Sequence, residues 1–192
     1  MLLATASYHP LSAETIAELA DVRLDLLEMW VVKLGPLLYR GEGNNGGIRV
    51  RRLLFSDFIL SDNCPSDFRV NLQDANKHLG IACLRTMIKQ LRFNICKLED
   101  SRLANADVND LPLRIRENIS DALQYSSIYW SDHLCFGLDD GDHSVWENLR
   151  KFFEGPCVLF WIEALSILGM VSIGVPSLRR VISTVVKVST PP

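Results

Sequence analysis

The sequence predicts a mainly α-helical protein, with two short helices and a small β-hairpin first and an antiparallel α-helical unit after them. Three observations predict it. A short apolar run, Leu37-Leu38-Tyr39, and the alternating run Ile48-Arg49-Val50-Arg51 flank a Gly/Asn cluster, the pattern of strand, turn and strand. Farther on, Ile81, Leu84, Ile88, Leu91 and Ile95 recur at steps of three and four, the spacing of one helix face. The chain has 192 residues, 48% of them hydrophobic, so it can bury roughly 70% of its unfolded surface in a core.

The elements follow in order. Ser12, after Pro10-Leu11, caps a first helix with Glu14 in its first turn and Ile16 and Leu19 on its apolar side. A second helix runs from about Val22 to Leu34, with Val22, Leu26, Met29 and Trp30 on one side, and Gly35-Pro36 stops it. In the hairpin that follows, Asn45-Gly46 is the turn, because both residues tolerate positive φ. A helix from Leu53 to about Leu60 places Leu54, Phe55, Phe58 and Ile59 on its apolar side, and Asn63-Cys64-Pro65 breaks the chain. The amphipathic stretch from about Leu72 to Cys96 sets Arg85, Lys89 and Arg92 between its apolar positions. A polar loop from Glu99 to Asn109 leads to a short helix near Pro112 to Asn118 and a longer one from about Asp121 to Phe136. Ser144-Val145-Trp146-Glu147 reads as a capping box opening another helix. Gly155-Pro156 ends that helix and starts the next. These elements divide into a winged-helix-like unit over 8–62, since two helices and then a hairpin is the order of a winged helix, an α-helical unit over 66–175, and a loose C-terminal tail over 176–192.

Gly41-Glu42-Gly43-Asn44-Asn45-Gly46 spells G-x-G-x-x-G, the letters of a dinucleotide-binding loop. That loop needs a helix N-terminus directly after the glycines, where amides converge on the pyrophosphate. Here a β-branched, alternating strand follows. A phosphate loop also fails, because Gly47-Ile48 stands where Lys-Ser/Thr is required. The glycines are read as a turn.

Other constellations have plain readings. Ser131-Asp132-His133 holds the residue types of a hydrolase triad, but consecutive helix positions splay about 100° apart. Asp139-Asp140-Gly141-Asp142-His143 lacks the alternating oxygen ligands of a calcium loop and reads as acidic residues before a helix N-terminus. Five cysteines without a short-spaced pair argue against a disulfide framework or a zinc site, and predict reduced thiols with Cys83 and Cys96 as small core residues. The N-terminus has no basic n-region or full h-region and reads as though cut into a domain. A net charge of −3 gives no general attraction to nucleic acid or anionic membrane. Arg49, Arg51 and Arg52 are the dense basic run, yet the helix of a DNA-binding winged helix would carry Asp21, Asp25 and Glu28 against Arg23 and repel phosphate. Cys157 to Val175 is long and apolar enough to raise a membrane anchor. Glu163 within it, at up to about 2.5–3.5 kcal/mol in a bilayer, favours a helix buried in a bundle.

The stretches IRVRRLLFSDFILSDNCPSDFRVN, HLGIACLRTMIKQLRFNICKLE, YSSIYWSDHL and FWIEALSILG resemble the NACHT-type STAND NTPases of mushroom-forming fungi, over roughly Pro10 to Gly169. In that family a NACHT nucleotide-binding core precedes a winged helix and a helical region. The winged-helix motif there reads His-His-x-Ser-Phe-x-Asp-Phe-Leu, against Arg51-Arg52-Leu53-Leu54-Phe55-Ser56-Asp57-Phe58-Ile59 in this chain. The resemblance implies that the phosphate-sensing role of the winged-helix histidine would fall at Arg51 or Arg52. It implies a non-catalytic regulatory and interaction segment, a gene fragment or degenerate copy, cytoplasmic, with no cofactor or small-molecule substrate of its own. It also implies the NACHT module as protein partner. A membrane-anchored helical protein and a DNA-binding winged helix are the alternatives.

Overall fold

A computed structural model of the chain describes residues 6–41, 46–51, 53–100, 102–138 and 143–189. It is mainly helical with one two-stranded antiparallel hairpin. Ser12 caps α1 (Ala13–Ala20), its Oγ accepting from Thr15 N–H at 3.1 Å. Asp21 takes the left-handed conformation at φ 52°, and Val22 N–H reaches back to Ala17 O, closing α1 before α2 (Leu24–Lys33). Strands β1 (Leu38–Arg40) and β2 (Ile48–Val50) pair with Leu38 opposite Val50 and Arg40 opposite Ile48. Leu38 and Ile48 point into the core, and Ile48 N–H donates to Leu11 O, holding the hairpin against the N-terminal segment. The helix α3 (Leu53–Leu60) packs through Ile59 onto Val70 and Ala75.

The centre of the molecule is the pair α4 (Leu72–Gln90) and α6 (Asp121–Gly137), joined through the short α5 (Leu111–Asn118). Gly80 lies against Leu134, and Gly137 against Gln73 and Lys77, so the two helices run antiparallel at backbone contact. Helices α7 (His143–Glu154), α8 (Cys157–Ile167) and α9 (Gly174–Ser189) surround this pair. Trp130, Phe152 and Trp161 are fully buried where they meet, with ring centroids 5.2–5.9 Å apart. Trp161 Nε1 donates to Ser127 O at 2.9 Å, which satisfies its one polar atom. Cys64, Cys83 and Cys96 are buried thiols. One apolar cluster runs from Leu11, Ile16 and Leu38 through Leu84 and Trp130 to Val181, drawing on both expected units.

Several expectations are corrected. The long amphipathic helix stops at Gln90, not Cys96. Leu91, Ile95 and Cys96 are buried all the same, but from a turn in which Asn94 and Lys97 have positive φ. Glu163 holds the turn that follows the helix end. Its carboxylate accepts the amides of Asn94 and Ile95, each at 3.2 Å, which would otherwise point up the helix. Helix α2 buries Val31, while Met29 and Trp30 are 41% and 45% exposed, so its apolar face is not where the spacing put it. Ser144 lies inside the first turn of α7 rather than at its cap, and Glu147 pairs with Lys151 at 2.7 Å.

The apolar run 157–175 is not one helix. Gly169, at φ +70°, ends α8 in a Schellman turn, with Met170 N–H donating to Leu165 O and Gly169 N–H to Ser166 O. Among the described residues no helix is long and apolar enough to cross a membrane. The tail expected to be loose from 176 is instead helical through Ser189. Val181 is buried and Arg180 is paired with Asp132 on α6.

Removing the carboxylate that holds the turn after α4 has a measurable consequence. Glu163→Ala leaves two inward-facing amides without their acceptor and is expected to lower stability by about 2 kcal/mol. Urea unfolding followed by circular dichroism reads this as a lower midpoint at unchanged slope. A midpoint equal to the parent's would mean that the turn holds without Glu163.

Candidate functional site

The hairpin expected at the glycines is present. Gly41 N–H donates to Gly47 O across its mouth, and Ile48–Val50 is strand, so no helix opens after the glycines. Asn45 lies outside the described residues, as does Arg52. Arg51 N–H donates to Leu37 O, and its guanidinium carbon stands 5.5 Å from the Tyr39 ring centroid, a cation–π distance. Arg40 ties the same hairpin to α2 through Glu28 at 3.0 Å. Arg51 therefore sits on the outer face of the hairpin, away from both cavities described below.

Ser131, Asp132 and His133 diverge. Ser131 Oγ is buried and makes no hydrogen bond, and Asp132 holds Arg180. His133 is fully buried and faces Asn76 and Tyr125, each at 2.7 Å. Asn76 Nδ2 donates to Leu72 O, so its Oδ1 faces His133 and accepts from Nδ1–H. That leaves Nε2 as the acceptor for the Tyr125 hydroxyl, and Tyr125 Oη accepts Tyr8 N–H at 3.2 Å. The chain of donors fixes a neutral imidazole. Burial pulls the His133 pKa down to about 4 and pushes the Tyr125 phenol well above its ordinary range. Tyr8 stacks on Tyr129 at 5.0 Å and 15°, so this network anchors the N-terminal segment to α4 and α6. Beside it lies a small polar cavity of about 330 Å³ bordered by Ser12, Thr15, Asp121 and Tyr125.

Among the described residues no three His, Cys, Asp or Glu side chains stand close enough to hold a metal ion. Asp139, Asp140 and Asp142 lie outside the described residues.

A groove of about 750 Å³ lies between α2 and α4, closed at one end by α1 and floored by the hairpin. Helix α2 packs on α1 and stands off from α4, which leaves this space open. Val22, Leu27 and Trp30 line the α2 side, and Leu38 and Ile48 lie beneath. The α4 wall shows His78, Ala82, Arg85 and Lys89, one stripe at steps of three and four. The sequence marks Arg85 and Lys89 as the polar side of an amphipathic helix. That they face a groove depends on α2, some fifty residues earlier.

No family model matches the sequence, and neither a curated protein nor a solved structure matches it.

Proposed function

We propose that this chain is a non-catalytic regulatory and interaction segment of the kind that follows the NACHT core of fungal STAND NTPases. It works in the cytoplasm by docking the nucleotide-binding module or an element released by it. The observation that supports this reading is the open groove between α2 and α4, with the apolar face of α2 left partly uncovered beside it. Leu24, Met29, Trp30 and Val32 on α2, with Leu54 and Phe58 on α3, are large apolar side chains 38–80% exposed within one quarter of the sequence. Large apolar side chains left exposed beside a groove support a contact site there. Coupling to nucleotide state would come from rigid-body movement of this segment against its neighbour.

Gel filtration tests the reading. The purified chain is expected to co-elute with a recombinant NACHT module of a fungal STAND NTPase, and Trp30→Asp is expected to abolish co-elution while leaving the circular dichroism spectrum unchanged. Independent migration of the two proteins overturns the partner. ATP hydrolysis or tight ATP binding by the chain alone overturns the non-catalytic reading.

A further inference from the structure

We infer that the groove between α2 and α4 takes an amphipathic helix with an acidic flank. This rests on reading the groove as a docking surface and adds the chemistry of its occupant. The two long walls are helices whose backbone groups are bonded internally, so a strand laid along either wall would find no ladder on it. A helix satisfies its own backbone and presents only side chains. From His78 to Lys89 the α4 wall extends about 16 Å, or three helical turns.

The groove is divided chemically. Val22, Leu27 and Trp30 on the α2 side give an apolar bed, with the indole half-exposed and able to close over an inserted side chain. Arg85 and Lys89 stand one helical turn apart on the opposite wall, both exposed. Among the described residues neither has an ion-pair or hydrogen-bond partner. Two carboxylates also border the groove. Glu18 is already engaged by Gln90 and by Ser120 Oγ, and Asp21, whose backbone closes α1, leaves one exposed carboxylate at the α1 end, apart from the Arg85 and Lys89 stripe on α4. Two cations at a four-residue spacing match carboxylates at the same spacing on a facing helix, with apolar residues on the adjacent stripe turned toward Leu27 and Trp30.

The test uses fluorescence anisotropy with the full chain and two labelled peptides of about 16 residues, long enough to overlap the wall. Both are alanine-based helices with a leucine stripe. One carries glutamates beside the stripe, and its twin carries lysines at those positions. The glutamate peptide is expected to bind at least about tenfold more tightly than the lysine twin at low salt. Arg85→Glu/Lys89→Glu is expected to reverse that preference, both residues being exposed and away from the core. Trp30→Ala is expected to weaken both peptides. Equal affinities, absence of binding, or a preference unmoved by the double variant overturns the inference. Displacement of the glutamate peptide by duplex DNA does so too, and would assign the stripe to nucleic acid. A chain that co-elutes with the NACHT module but fails these peptide measurements keeps its proposed function and loses the acidic helix.

Discussion

Gly137→Val is expected to destroy the folded core, destabilising the protein by more than about 4 kcal/mol. Gly137 ends α6 where it crosses α4. A Cβ placed there would lie 2.6 Å from Lys77 Cα and 2.7 Å from Gln73 O, both backbone atoms of the facing helix. Neither can rotate away, so the helices must separate. Gly80, three residues beyond Lys77 on α4, meets Leu134 in the same way, at 2.9 Å from its N and 3.0 Å from its Cα. The separation would therefore be felt along the seam that also holds Trp130 and His133. A domain of this size is stable by about 5–15 kcal/mol, so one such lesion takes a large part of the total. Gly155→Ala is the control, because the nearest atom to a Cβ there is Lys151 O at 3.8 Å, an ordinary contact. Thermal and urea melts should show Gly155→Ala close to the parent and Gly137→Val without a cooperative transition. A cooperative transition near the parent's in Gly137→Val would mean that α4 and α6 do not meet as closely as the backbone places them.

The glycine seam also shows what a sequence does and does not disclose. Ser12 and Gly35-Pro36 bounded the first helices because caps and breakers act within a few residues. The hairpin was legible for the same reason. The Leu84 face of α4 was legible because burial on one side imposes its period directly. Leu91 and Ile95 continued that period past the helix end, since burial sets it and a buried turn serves as well. The turn that follows α4 is held by Glu163, about seventy residues later. No local pattern can report an acceptor supplied from that distance. Gly169 lay in view within the apolar run, but a run counted by hydropathy does not register that one positive φ divides it. The groove was hidden for a related reason. Arg85 and Lys89 read as the polar side of one helix, and Trp30 as one side of another, until the gap between α2 and α4 made them opposite walls. Of the residues assigned by resemblance, Arg51 lies on the hairpin against Tyr39, outside that groove.

Acidification is expected to weaken the fold by about 3 kcal/mol through His133 alone. The imidazole is neutral in the folded protein because Tyr125 donates to Nε2 while Nδ1–H is held by Asn76, and among the described residues no carboxylate faces the ring to support a positive charge. Its folded pKa is about 4, against an ordinary value of 6.5. The unfolded chain therefore binds a proton first as pH falls. Stability from this group is fully present above about pH 6.5, declines as pH drops toward 4, and changes no further below that. Protonation in place would set Nε2–H against Tyr125 Oη, which already accepts Tyr8 N–H, so the phenol hydrogen must turn away from the ring and lose its acceptor. Release of the N-terminal segment should accompany the loss. Most carboxylates titrate below pH 5, so the interval from 6.5 to 5 separates histidine titration from theirs, and a His133 variant picks out this one. Urea unfolding across that interval should show a falling midpoint in the parent. His133→Gln can accept from Tyr125 without titrating, and should be less stable at neutral pH yet nearly flat across the same interval. An equal slope in the two proteins would place the acid sensitivity elsewhere and deny the buried, neutral imidazole its part in holding the N-terminal segment to α4 and α6.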